Sequence, residues 1–363
     1  MAVYRIFPEK DAFISTEVPT GNAGKDEIVE IGGYYDISGT GQANRILVKY
    51  SSDDINTAIA TIGGASYSAS LGMYLADAFA LPNDVTIYVN AVSQSWDSGV
   101  GKFGDTPVNT SGVSWTYRQA GEISAWRTTG YAAGSTGSYR TEVGGGTWHT
   151  SNQATQSFSV NSTTYDLSVP VTTAIQAIVA NTIPNDGFIV RLQPDLEFNT
   201  TSSISLKYFG ADTNTIYPPF LEFKWDDSSY QTGSLSVLSN GIAAINLTNN
   251  RGKYTDVGKQ RFRVSARPKY PVRTFTTSSA YLTNYALPSA SYWGLKDEYT
   301  EEMVVDFDTT FTKVSCDSNG AYFDVYMDGL QPERYYRILI KTTLDGSTTV
   351  VDNQNIFKVV RNG

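Results

Sequence analysis

The feature that most constrains the fold is a recurrence of short runs rich in β-branched and aromatic residues, separated by turn-forming residues. The clearest runs are Arg45–Tyr50 and Val85–Val92. Such side chains fit a pleated, half-buried surface, whereas Gly, Pro, Asn and Asp favour turns. The pattern predicts an all-β fold built from β-sandwiches.

Two segments depart from this pattern and place apolar residues at helical spacing. They are residues 54–62 and residues 172–181, and Thr172 or Thr173 could cap the second one. We therefore expect two short helices, both in the first domain.

The chain has 363 residues, whereas an ordinary domain has about 100–200, so more than one domain is expected. Around residues 228–241 the composition turns to Ser, Gly, Gln and Thr with few large apolar side chains. We expect a first domain over residues 1–228, a linker over residues 229–241 and a second domain over residues 242–363.

The charge and the reactive residues exclude several function classes. The net charge is -9, which argues against nucleic-acid binding. Cys316 and His149 are the sole residues of their types, so an internal disulfide, a Cys-rich zinc site and a multi-histidine metal centre are excluded. No run of about 18 apolar residues is present, and we expect no membrane span.

We expect no enzyme activity and no cofactor. His149 lies in a Gly-rich segment, away from any nucleophile motif. Most paired carboxylates are adjacent in sequence and would point to opposite faces of a strand. Asp306 and Asp308 would share a strand face, which could be a calcium-binding edge, although a solvated face is the favoured interpretation.

The surface composition and the N-terminal residues point in different directions. Only 17% of the residues are charged, which is typical of extracellular or particle-surface proteins, yet Arg5, Glu9 and Lys10 interrupt any apolar secretion signal. A virus particle assembled in a host cytoplasm would reconcile the two observations, and a virion location is therefore expected.

A Gly-rich stretch over residues 119–151 carries four prominent aromatic residues, namely Trp126, Tyr131, Tyr139 and Trp148. Long loops of this kind either cover a sheet or contact a partner. Two interpretations stay open, an ordered cover and a contact surface for a protein or a glycan.

The first half contains a series of short motifs in a fixed order: residues 11–14, 22–24, 30–32, 45–50, Trp96, 112–115, 185–188 and 218–223. This order resembles the disaggregatase-related DNRLRE modules, a jelly-roll family close to carbohydrate-binding β-sandwiches. The resemblance implies a jelly-roll β-sandwich over nearly the whole first half. The chain departs from the family after Lys49, where the usual Phe-Asp is missing, and in its longer 119–151 insertion.

The residues of two of these motifs also allow a direct interpretation. Alternation along the strand would place Ile46 and Val48 in a core, and Leu47 and Lys49 outward, with Arg45 tethering a loop.

Trp96 and Trp115 could be platforms for sugar rings or core anchors. A tryptophan buries a large area and dominates packing, so core anchors are favoured.

In the second half, residues 329–338 resemble the turn and strand of fibronectin type III and related immunoglobulin-like domains. Leu330, Pro332 and Tyr336 fit the spacing of a tyrosine corner, in which the tyrosine hydroxyl bonds backbone upstream. The resemblance implies an immunoglobulin-like sandwich. The expected tryptophan of such a domain is not found, because Trp293 lies in a Ser-Tyr-Trp-Gly sequence that favours a loop.

Taken whole, the chain resembles a structural protein of a tailed-bacteriophage virion, of the neck, collar, tail, baseplate or head-fibre type. The resemblance implies protein–protein contacts with other virion proteins, in several copies or as a homo-oligomer. The alternative is a carbohydrate-binding or adhesive module that recognises a cell-surface glycan.

Overall fold

The structure is a computed structural model that describes residues 2–35, 41–79, 81, 84–119, 124–126, 144–159, 161–198, 203–272 and 279–362. Strands dominate these residues, and the prediction of an all-β sandwich fold is confirmed. In the described ranges, no helix has the length and apolar character needed to cross a membrane.

The strands up to residue 225 are β1 Ala2–Ile6, β2 Pro8–Ser15, β3 Ile28–Tyr35, β4 Gly41–Tyr50, β5 Tyr67–Met73, β6 Leu75–Phe79, β7 Asp84–Ala91, β8 Ala154–Ser159, β9 Leu167–Pro170, β10 Phe188–Leu192, β11 Ile204–Phe209 and β12 Phe220–Trp225. The later strands are β13 Ala243–Leu247, β14 Lys253–Thr255, β15 Lys259–Pro268, β16 Tyr292–Asp297, β17 Met303–Val305, β18 Ser315–Asp317, β19 Gly320–Tyr326, β20 Tyr335–Leu344 and β21 Ser347–Val360. The helices are α1 Ser52–Ile62, α2 Thr172–Val179 and the one-turn α3 Pro194–Glu197.

These strands form four sheets. The largest has eight strands in the order β6-β11-β3-β4-β10-β7-β8, with β2 also paired to β4. A four-stranded sheet has the order β1-β12-β5-β9. The other two sheets have the orders β13-β15-β19-β18 and β14-β21-β20-β16-β17.

The chain divides into two compact units. The N-terminal unit comprises Ile6–Thr61 and Ser68–Glu222, and the C-terminal unit comprises Met1–Arg5, Ile62–Tyr67 and Phe223–Gly363. Residues 229–241, expected to be a linker, lie within the C-terminal unit. Tyr230 forms an isolated backbone β-bridge with Cys316 there, and Leu238 is buried in the core. Backbone pairing attaches this segment to the C-terminal unit, and amino-acid composition does not reveal such pairing.

The C-terminal unit has the strand order of an immunoglobulin-type sandwich. If β13, β15, β16, β18, β19, β20 and β21 are strands A to G, its sheets read A-B-E-D and G-F-C, and the second sheet is extended by β14 beside G and by β17 beside C. Trp293 lies on β16, is 1% exposed, and stacks on Phe323 with ring centroids 5.1 Å apart. The expectation that Trp293 lies in a loop is therefore wrong, because the small and polar neighbours that suggested a turn belong to a buried strand.

Both expected helices are present. Helix α1 begins after Ser51, whose Oγ accepts the N–H groups of Asp53 and Asp54 at 3.2 and 3.5 Å. Helix α2 has no side-chain cap, and the Thr172 hydroxyl instead accepts the N–H of Ala69 at 2.9 Å. The predicted cap on α2 is wrong because this hydroxyl bonds a neighbouring strand. Sequence reasoning missed the short α3.

Candidate functional site

The candidate site lies on one face of the eight-stranded sheet, against which the described residues Trp126 and Trp148 of the long loop pack. Strand β4 pairs with β2 on one side and β10 on the other, so it is central in the sheet. Ile46, Leu47 and Val48 are all fully buried. The expectation that Leu47 faces outward into solvent is therefore wrong, because residues beyond β7 pack over that face.

Four tryptophans from the chain after β7 form one buried cluster with apolar residues of the sheet strands β2, β4 and β10. Trp96 and Trp115 lie in the cluster, as expected of core anchors. Trp126 and Trp148 belong to the same cluster and are 2% and 1% exposed. Both are candidate partner or glycan contacts from the sequence, and at these two positions the burial of the rings favours the other interpretation, an ordered cover.

Polar contacts of the indole groups fix the cover in place. The Nε1 of Trp126 donates to the Ser114 carbonyl at 3.1 Å, and the Nε1 of Trp96 donates to the Asp186 carbonyl at 2.8 Å. Buried tryptophan N–H groups that find acceptors avoid a desolvation cost. The other two expected contact residues, Tyr131 and Tyr139, lie outside the described residues.

Arg45 is the charged centre of the covered face. Its side chain is completely buried and forms a two-pronged ion pair with Glu197, with Nε–Oε1 at 2.5 Å and Nη2–Oε2 at 2.9 Å. Its Nη1 donates to the Gly145 carbonyl at 2.5 Å. Arg45 therefore tethers the loop, as its sequence position predicted.

The glycines of the loop make this tether possible. Gly144, Gly145 and Gly146 all have positive φ values, of 126°, 77° and 87°. A Cβ on Gly145 would lie 2.5 Å from Nη1 of Arg45. The loop can approach Arg45 this closely because these three positions are glycines.

A second arginine, Arg191, lies beside the first. Strand β10 pairs Val190 with Ile46 of β4 and Arg191 with Tyr88 of β7, which places Arg191 next to Arg45 on the same face. Both guanidinium carbons lie near the Trp148 ring centroid, at 5.2 Å for Arg45 and 4.8 Å for Arg191. The Tyr88 ring centroid is 4.9 Å from the Arg191 carbon. These contacts have the geometry of cation–π interactions.

The environment of Arg191 differs from that of Arg45 in its polar partners. The residue is 6% exposed, and its buried Nε has no hydrogen-bond acceptor among the described residues. Burial lowers the pKa of Arg191 to about 10, and the charge of Glu197 partly opposes that shift. Sequence reasoning missed Arg191 and Glu197, although an arginine in the apolar run Phe188–Leu192 is a recognisable signal.

The tyrosine corner lies apart from this site, in the C-terminal unit. The Tyr336 hydroxyl donates to the Gln331 carbonyl at 3.1 Å, and Leu330 is buried while Pro332 is half-buried. The predicted upstream hydrogen bond is confirmed. Its role is structural.

Asp306 and Asp308 do not share a strand face, since β17 ends at Val305. Asp308 instead accepts the N–H groups of Thr310 and Phe311 at 2.6 and 2.8 Å, so it fixes a turn. The expectation of a shared face is wrong because turn formation competes with the strand. Within the described ranges, no group of three or more His, Cys, Asp and Glu residues is placed to hold a metal ion.

Comparison with known proteins adds little to this geometry. No family model and no curated protein matches the chain. A solved structure of a DUF4785 family protein from Legionella pneumophila aligns with 98% of this chain and 67% of its own, at 7% identity and a TM-score of 0.17. A similarity at that level carries no argument about fold or function.

Proposed function

We propose that this chain is a non-enzymatic structural component of a tailed-bacteriophage particle and acts through contacts with other particle proteins. The observation that carries the proposal is how the loop is held on the sheet, through its own tryptophans and through Arg45 of β4. Trp126 and Trp148 are buried in the core cluster, and Arg45, which is ion-paired with Glu197, also donates a hydrogen bond to the Gly145 carbonyl of the loop. A β-sandwich whose loop is held in this way suits an adaptor or spacer.

The same burial weighs against sugar stacking at two of the expected positions. A sugar ring stacks on an exposed aromatic face, and the rings of Trp126 and Trp148 are enclosed. A glycan-binding role would have to use other aromatic residues. Tyr131 and Tyr139, within the same stretch of sequence, are its remaining candidates there.

The test measures particle incorporation and host adsorption of one loop variant. Residues 127–143 are replaced by a short Gly/Ser linker, while Trp126 and the Gly144–Gly146 run are retained because both belong to the packed cover. Asp345→Asn, at an exposed hairpin turn in the C-terminal unit, is the control.

Purified particles are analysed by quantitative mass spectrometry, which also gives the copy number. The proposal predicts wild-type chain in the particles and reduced incorporation of the loop variant. Normal incorporation with lost adsorption would support the glycan alternative instead. Absence of the wild-type chain from purified particles would refute the virion role.

A further inference from the structure

The two units of the chain carry very different net charges. The N-terminal unit contains 10 Lys and Arg against 21 Asp and Glu, a net charge of -11, whereas the C-terminal unit contains 17 against 15, a net charge of +2. Together these values give the whole-chain charge of -9. Each copy of the protein therefore combines a strongly acidic unit with a slightly basic one.

Many of the basic residues of the C-terminal unit lie in a row along β15. Alternation along this strand buries Phe262, Val264 and Ala266, so the odd-numbered positions point away from the core. Five of the residues at odd-numbered positions, up to one residue beyond the end of the strand, are basic: Lys259, Arg261, Arg263, Arg267 and Lys269. One face of the strand is therefore a line of positive charge.

Ion pairs neutralise the beginning of this line. Asp324 pairs with Lys259 at 3.2 Å and with Arg261 at 2.8 Å. Asp317 pairs with Arg263 at 2.8 Å. These three cations are therefore engaged by carboxylates of the same sheet.

The last two cations of the line have aromatic neighbours instead. Arg267 is half-buried, its guanidinium carbon lies 5.1 Å from the Tyr281 ring centroid, and its Nη1 donates to the Pro268 carbonyl at 3.1 Å. Lys269 is exposed, and its Nζ lies 5.8 Å from the Tyr270 ring centroid. Neither cation forms an ion pair with a carboxylate of the described residues. The end of the line is therefore the part that can attract an acidic partner.

Large exposed side chains lie beside these two cations. Tyr270 and Val272 follow Lys269 in sequence and are 71% and 84% exposed, and Leu282 follows Tyr281 and is 84% exposed. Clustered exposed apolar groups mark interaction surfaces, and Tyr and Arg are enriched in the centres of protein interfaces. We call this cluster the β15 patch, which consists of Arg267, Lys269, Tyr270, Val272, Tyr281 and Leu282.

We propose that the β15 patch binds the acidic N-terminal unit of a second copy of this chain, so that copies associate head to tail. Two N-terminal units facing each other would repel, whereas the head-to-tail arrangement places the cations of the patch against a unit of net charge -11. A pair of copies still has one free patch and one free acidic unit. Such a heterologous contact continues into a ring or a filament.

This association is a property of the chain in solution and does not rest on the proposed role in a particle. Sedimentation velocity of the full-length chain measures it. Wild type at low ionic strength should form species larger than a dimer as its concentration rises. These species should dissociate in about 1 M sodium chloride, where the screening length is about 3 Å.

The patch variant combines Arg267→Glu with Lys269→Glu and should stay monomeric. The control combines Arg251→Glu with Lys253→Glu at two exposed positions of the same unit. It changes the net charge by the same amount and should associate like wild type. A monomeric wild type, association that persists in high salt, or an equal loss in the control would each overturn the proposal.

A capture experiment distinguishes head-to-tail association from a contact between two patches. A tagged patch variant keeps its acidic N-terminal unit, so it should retain untagged wild type, whose patch is intact. It should not retain the untagged patch variant. Failure to retain wild type would overturn the head-to-tail arrangement, and retention of both proteins would show that the β15 patch is not the binding surface.

Discussion

At the residue scale, Tyr336 offers a direct test of the tyrosine corner. Its hydroxyl is bonded to the Gln331 carbonyl within a buried environment. Tyr336→Phe should lower the free energy of unfolding by about 1–3 kcal/mol, because the carbonyl loses its partner. Urea denaturation measures the change. Tyr335→Phe is the matched control, since that side chain is 37% exposed, and equal effects of both substitutions would argue against a corner.

A second residue-scale prediction concerns pH. Burial raises the pKa of Asp11 from 3.8 to about 7, although the Ala211 N–H, 2.7 Å away, partly offsets this. Between these values the unfolded chain has lost the proton and the folded chain retains it. Stability should therefore fall by about 1.4 kcal/mol per pH unit as pH rises from about 4 to 7.

Asp11→Asn keeps an acceptor for Ala211 and removes the titration. Its stability relative to wild type should rise with pH over that window and level off above it. Urea denaturation at several pH values checks this. The control Asp77→Asn, at an exposed position on β6, should show the same pH dependence of unfolding free energy as wild type. If the difference in unfolding free energy between Asp11→Asn and wild type did not change with pH, Asp11 would ionise normally.

At the element scale, strand β4 holds the loop through Arg45. Arg45→Met leaves Glu197 buried without its partner and frees the Gly145 carbonyl. We expect a loss of about 3–5 kcal/mol in the free energy of unfolding, the range for breaking a buried ion pair. Hydrogen exchange over residues 144–148 should accelerate.

Lys49→Met, which replaces a half-buried residue on the same strand, should leave hydrogen exchange over residues 144–148 slow. Unchanged protection of residues 144–148 in Arg45→Met would mean that packing of the tryptophans alone retains the loop.

At the scale of the whole molecule, each of the two units contains a described core cluster of its own. Ile189 belongs to the core cluster of the N-terminal unit and Ile338 to that of the C-terminal unit. Truncating either one to Ala should cost about 2–5 kcal/mol. Scanning calorimetry should show two transitions, each lowered by one of the two substitutions. A single transition lowered equally by both would indicate one cooperative unit.

The sequence by itself determined the elements that local patterns encode. Alternating β-branched residues placed β4 and β7, apolar residues at helical spacing placed α1 and α2, and the Leu330 to Tyr336 spacing placed the corner. These signals are local because the strand and helix periods and short turn motifs act within a few residues. Trp293 shows the limit, since its small and polar neighbours indicated a turn although the chain there is a strand.

Tertiary structure alone decided what lies on the outer face of β4. Alternation distinguishes two faces of a strand but does not say whether the second one is covered. Two partners of Arg45, Gly145 and Glu197, lie 100 and 152 residues away along the chain. Contacts over such separations depend on the path of the whole chain. That path decided the burial of Leu47, the enclosure of Trp126 and Trp148, and the position of Arg191 beside Arg45.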